Sequence, residues 1–147
     1  MNKLLSIICG REVYALRHDW TVLEAVRYMT EKRVGAAAVL NGEAVVGVFS
    51  ERDLMTRVVA AGIAADKTRV SDVMTRNIVS CDPEETLEEG LQKMQQAKCR
   101  HLPIIEKGRL INFVSMRDLM QVEIEEMDLE IKLMNEYLYS VPASVEH

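Results

Sequence analysis

Apolar positions along this chain follow two rhythms, and each rhythm occurs twice. From Thr21 the pattern Val22, Ala25, Val26, Met29 has helical spacing, and Leu87, Leu91, Met94 repeat it after Thr86. Each run opens on a threonine with a glutamate three residues on, Thr21 with Glu24 and Thr86 with Glu89, so each predicts a capping box. Short strands are expected just before, at 13–15 and 78–80. After each helix come two β-prone runs around a tight turn: 37–40 and 45–49 about Asn41-Gly42, then 102–105 and 110–114 about Lys107-Gly108. A further helix is expected after Ser50 and after Ser115, each a hydroxyl residue suited to cap it.

The plan is therefore β-α-β-β-α, used twice. The copies lie about 65 residues apart: Thr21 to Met29 answers Thr86 to Met94, and Ser50 to Met55 answers Ser115 to Met120. That offset is expected to stay constant from Ser6/Ser71 to Met55/Met120. The expected fold is α+β, two repeats packed as a pseudo-twofold pair whose sheets bury an apolar face against each other. The boundaries are 1–60 for the first repeat, 61–68 for a linker, 69–120 for the second and 121–147 for a C-terminal helical extension.

The full chain has 147 residues, 48% of them hydrophobic and 28% charged, which suits a globular core. Its net charge of −5 argues against general affinity for nucleic acid. No apolar run approaches the roughly 20 residues that span a bilayer, so no membrane association is expected. The greasy opening around Leu4 to Ile8 is read as a helical turn docking on the core, not as a signal peptide. Cys9, Cys81 and Cys99 are odd in number and form no C-x-x-C pair, so they are read as small buried hydrophobes of a reducing, cytoplasmic protein. Most of the nine methionines, Met29, Met55, Met94 and Met120 among them, are read as core.

The residues Gly47-Val-Phe-Ser50-Glu-Arg-Asp53 fit the pattern G-x-x-[ST]-x-x-D, and Asn112-Phe-Val-Ser115-Met-Arg-Asp118 fits it with Asn for the glycine. Arg100-His101-Leu102-Pro103-Ile104-Ile105 is similar to a strand R-H-L-P-V-V. On these residues each copy resembles a CBS domain, and the pair resembles a Bateman module. Physically, the strand-to-helix junction offers free N–H groups to a phosphate. A carboxylate one turn on suits the two hydroxyls of a ribose, and Arg52 or Arg117 can add charge. The same serines and aspartates also serve as ordinary helix caps.

The resemblance implies two clefts, each shared between the repeats. One joins Ser50 and Asp53 to Thr75, Ile78, Val79, Arg100, His101 and Pro103. The other joins Ser115 and Asp118 to Val13, Tyr14, Ala36 and Ala38. Aliphatic side chains would hold an adenine ring, with Arg100 and His101 facing phosphates. The first cleft has more cationic help and is the preferred site; the second carries Asn112 and only small residues across 36–38.

After Asp118 the last helix is expected to run to about Tyr139, before Pro142. Met120, Ile124, Met127, Ile131, Met134 and Leu138 step by four and three along it, a heptad seam with acidic flanks. The seam implies a homodimer. The expected function is a sensor of AMP, ADP, ATP, NAD(H) or S-adenosylmethionine, regulating the dimer or an unidentified protein partner. The adenine nucleotide would be a regulatory ligand with no catalytic cofactor. The alternative is a ligand-free dimerisation scaffold. An enzyme is not expected, because no nucleophile–base set, metal spacing or phosphate-loop glycine pattern occurs.

Overall fold

The computed structural model describes residues 3–140. Elements follow in the order α1 (Leu4–Ile8), β1 (Ala15–Arg17), α2 (Val22–Lys32), β2 (Ala36–Asn41), β3 (Ala44–Ser50) and α3 (Glu51–Asp53), which continues as a π-helical stretch Leu54–Val59. Then come α4 (Val70–Val73), α5 (Leu87–Ala97), β4 (His101–Glu106), β5 (Arg109–Ser115) and α6 (Met116–Ser140).

Local chemistry sets the helix starts. Thr21 forms a complete capping box with Glu24, while the Thr86 hydroxyl accepts from the Glu89 amide. Both α2 and α5 end on a left-handed residue, Arg33 and Lys98. The two hairpins form about turns with positive φ at Gly42 and Gly108, where a missing Cβ removes the strain. Pro142, expected to follow the last helix, lies outside the described residues.

The strands make one five-stranded sheet, β1-β2-β3-β5-β4, rather than two sheets set face to face. The hairpins meet at their edges through the single pair Ala44 and Arg109. The first strand of each repeat departs from expectation. In the first half it is displaced two residues, to Ala15–Arg17, parallel to β2. In the second half 78–80 is not a strand; Cys81 alone bridges Ile104. Beyond Cys81 the pairing stops, because Asp82 and Pro83 turn the chain at once, with the Glu84 amide donating to Asp82 Oδ1 at 2.9 Å.

Each half has its own core, and each core is completed by the other half. Leu4 and Ile8 of α1 pack with Leu87, Met94, Leu102 and Leu119 of the second repeat. Val70 and Val73 of α4 pack with Leu16, Val22, Met29 and Phe49 of the first. The Leu4 amide donates to Glu85 O and the Val70 amide to Trp20 O, both at 2.8 Å. Leu4 thus answers Val70, so the offset here is one residue longer than in the helices. Ser6 and Ser71 are therefore out of register. The segment 61–68 bonds to the first repeat: Thr68 O and Ala65 O accept from the Val22 and Leu23 amides.

Candidate functional site

The first cleft opens at the junction between β3 and α3. Ser50 caps the helix: the Asp53 amide donates to its Oγ at 3.3 Å, and its own amide and hydroxyl donate to Asp53 Oδ2 at 3.0 and 3.1 Å. The Thr75 hydroxyl, from the second repeat, donates to Asp53 Oδ1 at 3.0 Å. Arg57 lies one helical turn on, 3.6 Å from the same oxygen, and donates to Met74 O at 2.9 Å. Asp53 is 6% exposed, so its charge is held by three hydrogen bonds and one cation in a largely dry setting.

Around this network lies a cleft of about 530 Å³. Ser50, Asp53, Thr75, Ile78, Val79, Arg100, His101 and Pro103, the set that the resemblance implies for the first cleft, all line it, and so does Arg52. Ala36 lines it too, although it was expected in the second; its pairing with Ser50 across β2 and β3 holds it beside its own repeat's serine. Sequence reasoning missed Glu51, Asn77, Lys98 and Cys99 on the same walls. Of these, only Lys98 carried a signal, since a residue ending α5 ahead of a strand faces the strand's opening edge.

The wall is mixed in character. Ile78, Val79 and Pro103 offer an apolar side, and Arg52, Lys98 and Arg100 a cationic one, with Glu51 as the counter-charge. His101 stacks on Phe113 with ring centroids 6.0 Å apart. Burial holds its imidazole below the ordinary value of 6.5; Arg100 adds to this, while Glu51 and Asp118 oppose it. At neutral pH His101 is therefore a neutral hydrogen-bonding ring.

The second junction has the same internal geometry. The Ser115 amide donates to Asp118 Oδ2 at 2.9 Å, and the Asp118 amide donates to Ser115 Oγ at 3.0 Å. Its expected partners do not gather on it. Val13 is exposed, the Tyr14 hydroxyl donates to Glu12 at 2.8 Å, and Ala38 is buried between β1 and β3. The residue that reaches Asp118 is Arg11, at 3.3 Å. Arg117 and Ser115 instead line a second groove with Arg100, His101, Met120 and Ile124 at the root of α6.

Two further expectations are corrected. Cys9 is exposed and Cys99 half-buried; only Cys81 is buried, where desolvation pushes its thiol up to about 11. Met55 and Met120 are exposed because they rim the cleft and the groove, although they sit on helical apolar faces. Among the described residues no helix is long and apolar enough to cross a membrane.

A family model of the CBS domain matches residues 7–60 and 70–125. The chain is 38% identical over 109 residues to the CBS domain-containing protein CBSCBSPB3 of Arabidopsis thaliana, covering 74% of this chain and 20% of that one. It thus spans about a fifth of the length of this plant relative. A solved protein with CBS domains from Burkholderia ambifaria matches with a TM-score of 0.79 and 29% identity, over 84% of this chain and 95% of that one. A hexameric CBS-CP12 protein from bloom-forming cyanobacteria matches with a TM-score of 0.72 and 25% identity, over 81% of this chain and 70% of that one. Two family matches in tandem, on a fold shared with these structures, place the chain in the CBS-domain family, whose members are generally regulatory modules that bind adenosine ligands.

Proposed function

We propose that this chain is a nucleotide sensor that takes an adenine nucleotide in the cleft beside Asp53. The observation carrying this reading is convergence. Side chains from both repeats, far apart in sequence, meet around one cleft with an apolar side, a cationic side and a buried carboxylate between them. An adenine ring fits against Ile78, Val79 and Pro103. Phosphates fit toward Arg52, Lys98 and Arg100, where three cations outnumber Glu51. Asp53 has acceptor capacity left on Oδ1 for a ribose hydroxyl, beyond the one bond from Thr75. AMP, ADP, ATP, NAD(H) and S-adenosylmethionine share these features.

The role is binding and regulation, not catalysis. A ligand that bridges both repeats favours the arrangement of the halves that it fits best and shifts the population toward it. Arg100 and His101 line both the cleft and the groove at the root of α6, so a change there reaches the helix. The exposed seam from Met120 to Leu138 supports a homodimer formed through α6. The output passes to that dimer or to a partner protein.

Calorimetry against the five candidate ligands tests the reading. One of them should bind at micromolar affinity, and Arg100→Ala should weaken ligands with more phosphates most. No heat and no thermal shift with any of the five would leave the scaffold alternative standing.

A further inference from the structure

The two junctions carry the same cap, yet the strand leading into each behaves differently. In the first, the Val48 and Thr75 backbones bridge in both directions, N–H to O at 2.9 and 2.8 Å. This brings Thr75 onto Asp53. The approach requires Gly47, whose added Cβ would meet Thr75 O at 2.9 Å. In the second repeat Asn112 stands in the place of Gly47 and Phe113 in the place of Val48. The Phe113 amide donates to the side-chain oxygen of Asn112 at 2.7 Å, so it is not available for the equivalent bridge. The same Asn112 side chain, 4% exposed, donates to Arg11 O at 3.4 Å. The Arg11 amide donates to Ile8 O at 3.1 Å, which ties Arg11 to α1, itself docked on the second core. Held at these two points, Arg11 sets its guanidinium on Asp118 at 3.3 Å.

We infer that Arg11, positioned by Asn112, is a built-in partner of Asp118 that stands where a second nucleotide would need that carboxylate, and that it restricts the chain to one nucleotide. The inference deepens the sensor reading and rests on it for the ligand class. Asp118 is the counterpart of Asp53, and Arg11 donates to it from a segment far along the chain, whereas Arg57 stands 3.6 Å from Asp53 on the same helix and gives its hydrogen bond to Met74 O. At the 65-residue offset Gly35 and Ala36 answer Arg100 and His101, while Arg33 and Arg117 answer Lys98 and Arg52, so of the three cations of the first cleft the second junction lacks Arg100. A ligand would have to break a charge-assisted contact and gain less in return.

Calorimetry with AMP on the full chain decides the matter. Wild type should bind one AMP per chain and Arg11→Ala two, with the first affinity unchanged. The double variant Arg11→Ala/Asp118→Ala should return to one. Two sites in wild type, one site in Arg11→Ala, or a second site that survives loss of Asp118 would each overturn the inference. If neither wild type nor Arg11→Ala binds AMP, the sensor reading fails, and a thermal double-mutant cycle then judges the Arg11 contact by itself. Losses in Tm for Arg11→Ala and Asp118→Ala that simply add would refute it; losses that are shared would uphold it.

Discussion

Ser50 with Asp53 and Ser115 with Asp118 are nearly superimposable as chemistry and differ as sites. In both, the serine amide donates to the aspartate Oδ2, at 3.0 and 2.9 Å, and the aspartate amide donates back to the serine hydroxyl. What separates them is the third partner. Asp53 receives the Thr75 hydroxyl, with Arg57 of its own helix 3.6 Å from the same oxygen, and borders an open cleft, whereas Asp118 accepts a hydrogen bond from the Arg11 guanidinium. The short signature therefore encodes a helix cap. Whether the cap borders a ligand site is decided by residues that approach from elsewhere in the chain.

The sharpest way to break the comparison is to exchange the residues that set it. Gly47→Asn places a side chain where Met74 Sδ and Thr75 O already sit, and the backbone oxygen cannot yield cheaply. The expected loss is about 3 kcal/mol, at the upper end of overpacking costs, read from the urea midpoint. Asn112→Gly in the other repeat forfeits hydrogen bonds to one amide and one carbonyl, and should cost about 1 kcal/mol. Equal losses would mean that the two strands are not differently constrained.

Next in size is the pair of aspartates. Asp53→Ala removes a buried acceptor and strands the Ser50 amide and the Thr75 hydroxyl, for an expected loss of about 2–3 kcal/mol. Asp118 is partly exposed and its pair with Arg11 is solvated, so Asp118→Ala should cost under about 1 kcal/mol. Nucleotide binding should fall at least about tenfold, the effect of one lost hydrogen bond to a charged group, in Asp53→Ala and stay unchanged in Asp118→Ala. Matched effects on binding would show that the two junctions are equivalent after all.

How much of this was legible in the sequence follows the range of the interactions. Caps at Thr21, Thr86, Ser50 and Ser115 and hairpins at Gly42 and Gly108 depend on neighbours a few residues away, and all were readable. So were the eight residues of the first cleft, because the resemblance to CBS domains implies which strands face each junction. The exchange of α1 and α4 between the cores was not, since Leu4 and Val70 look equally apolar whichever core they enter. Nor was the role of Arg11: an arginine in a loop carries no periodicity, and its meaning comes from Asn112 and Asp118, far along the chain.

The halves also differ in how they leave their junctions. The first helix passes into a π-helical stretch and stops at Val59, while α6 runs for 25 residues. Along α6, Ile131 and Met134 are 57% and 63% exposed, which a free helix of this length would not favour. Ile131→Ala should weaken the dimer about tenfold, or roughly 1.4 kcal/mol, in sedimentation at micromolar concentration. A wild-type monomer under those conditions would remove the dimer and leave the clefts untouched.

The smallest effect expected is a pH dependence carried by His101, whose counterpart in the first repeat is the non-titrating Ala36. Burial lowers the His101 pKa below 6.5, with Arg100 acting in the same direction and Glu51 and Asp118 against it. The unfolded chain therefore binds its proton more readily than the folded one, and stability rises with pH through the window just below 6.5. This contribution is complete above that window and is lost as pH falls through it. A phosphate beside the ring reverses the preference, since it stabilises the imidazolium. Nucleotide affinity should accordingly rise by about threefold between pH 7.5 and 5.5, a fraction of one pKa unit of coupling. The loss of Tm on acidification should shrink when nucleotide is bound. His101→Gln keeps a hydrogen-bonding side chain without the proton, so it should flatten both profiles. A wild-type affinity that stays level, or an unchanged slope in His101→Gln, would place the phosphates away from His101 and on Arg52 and Lys98.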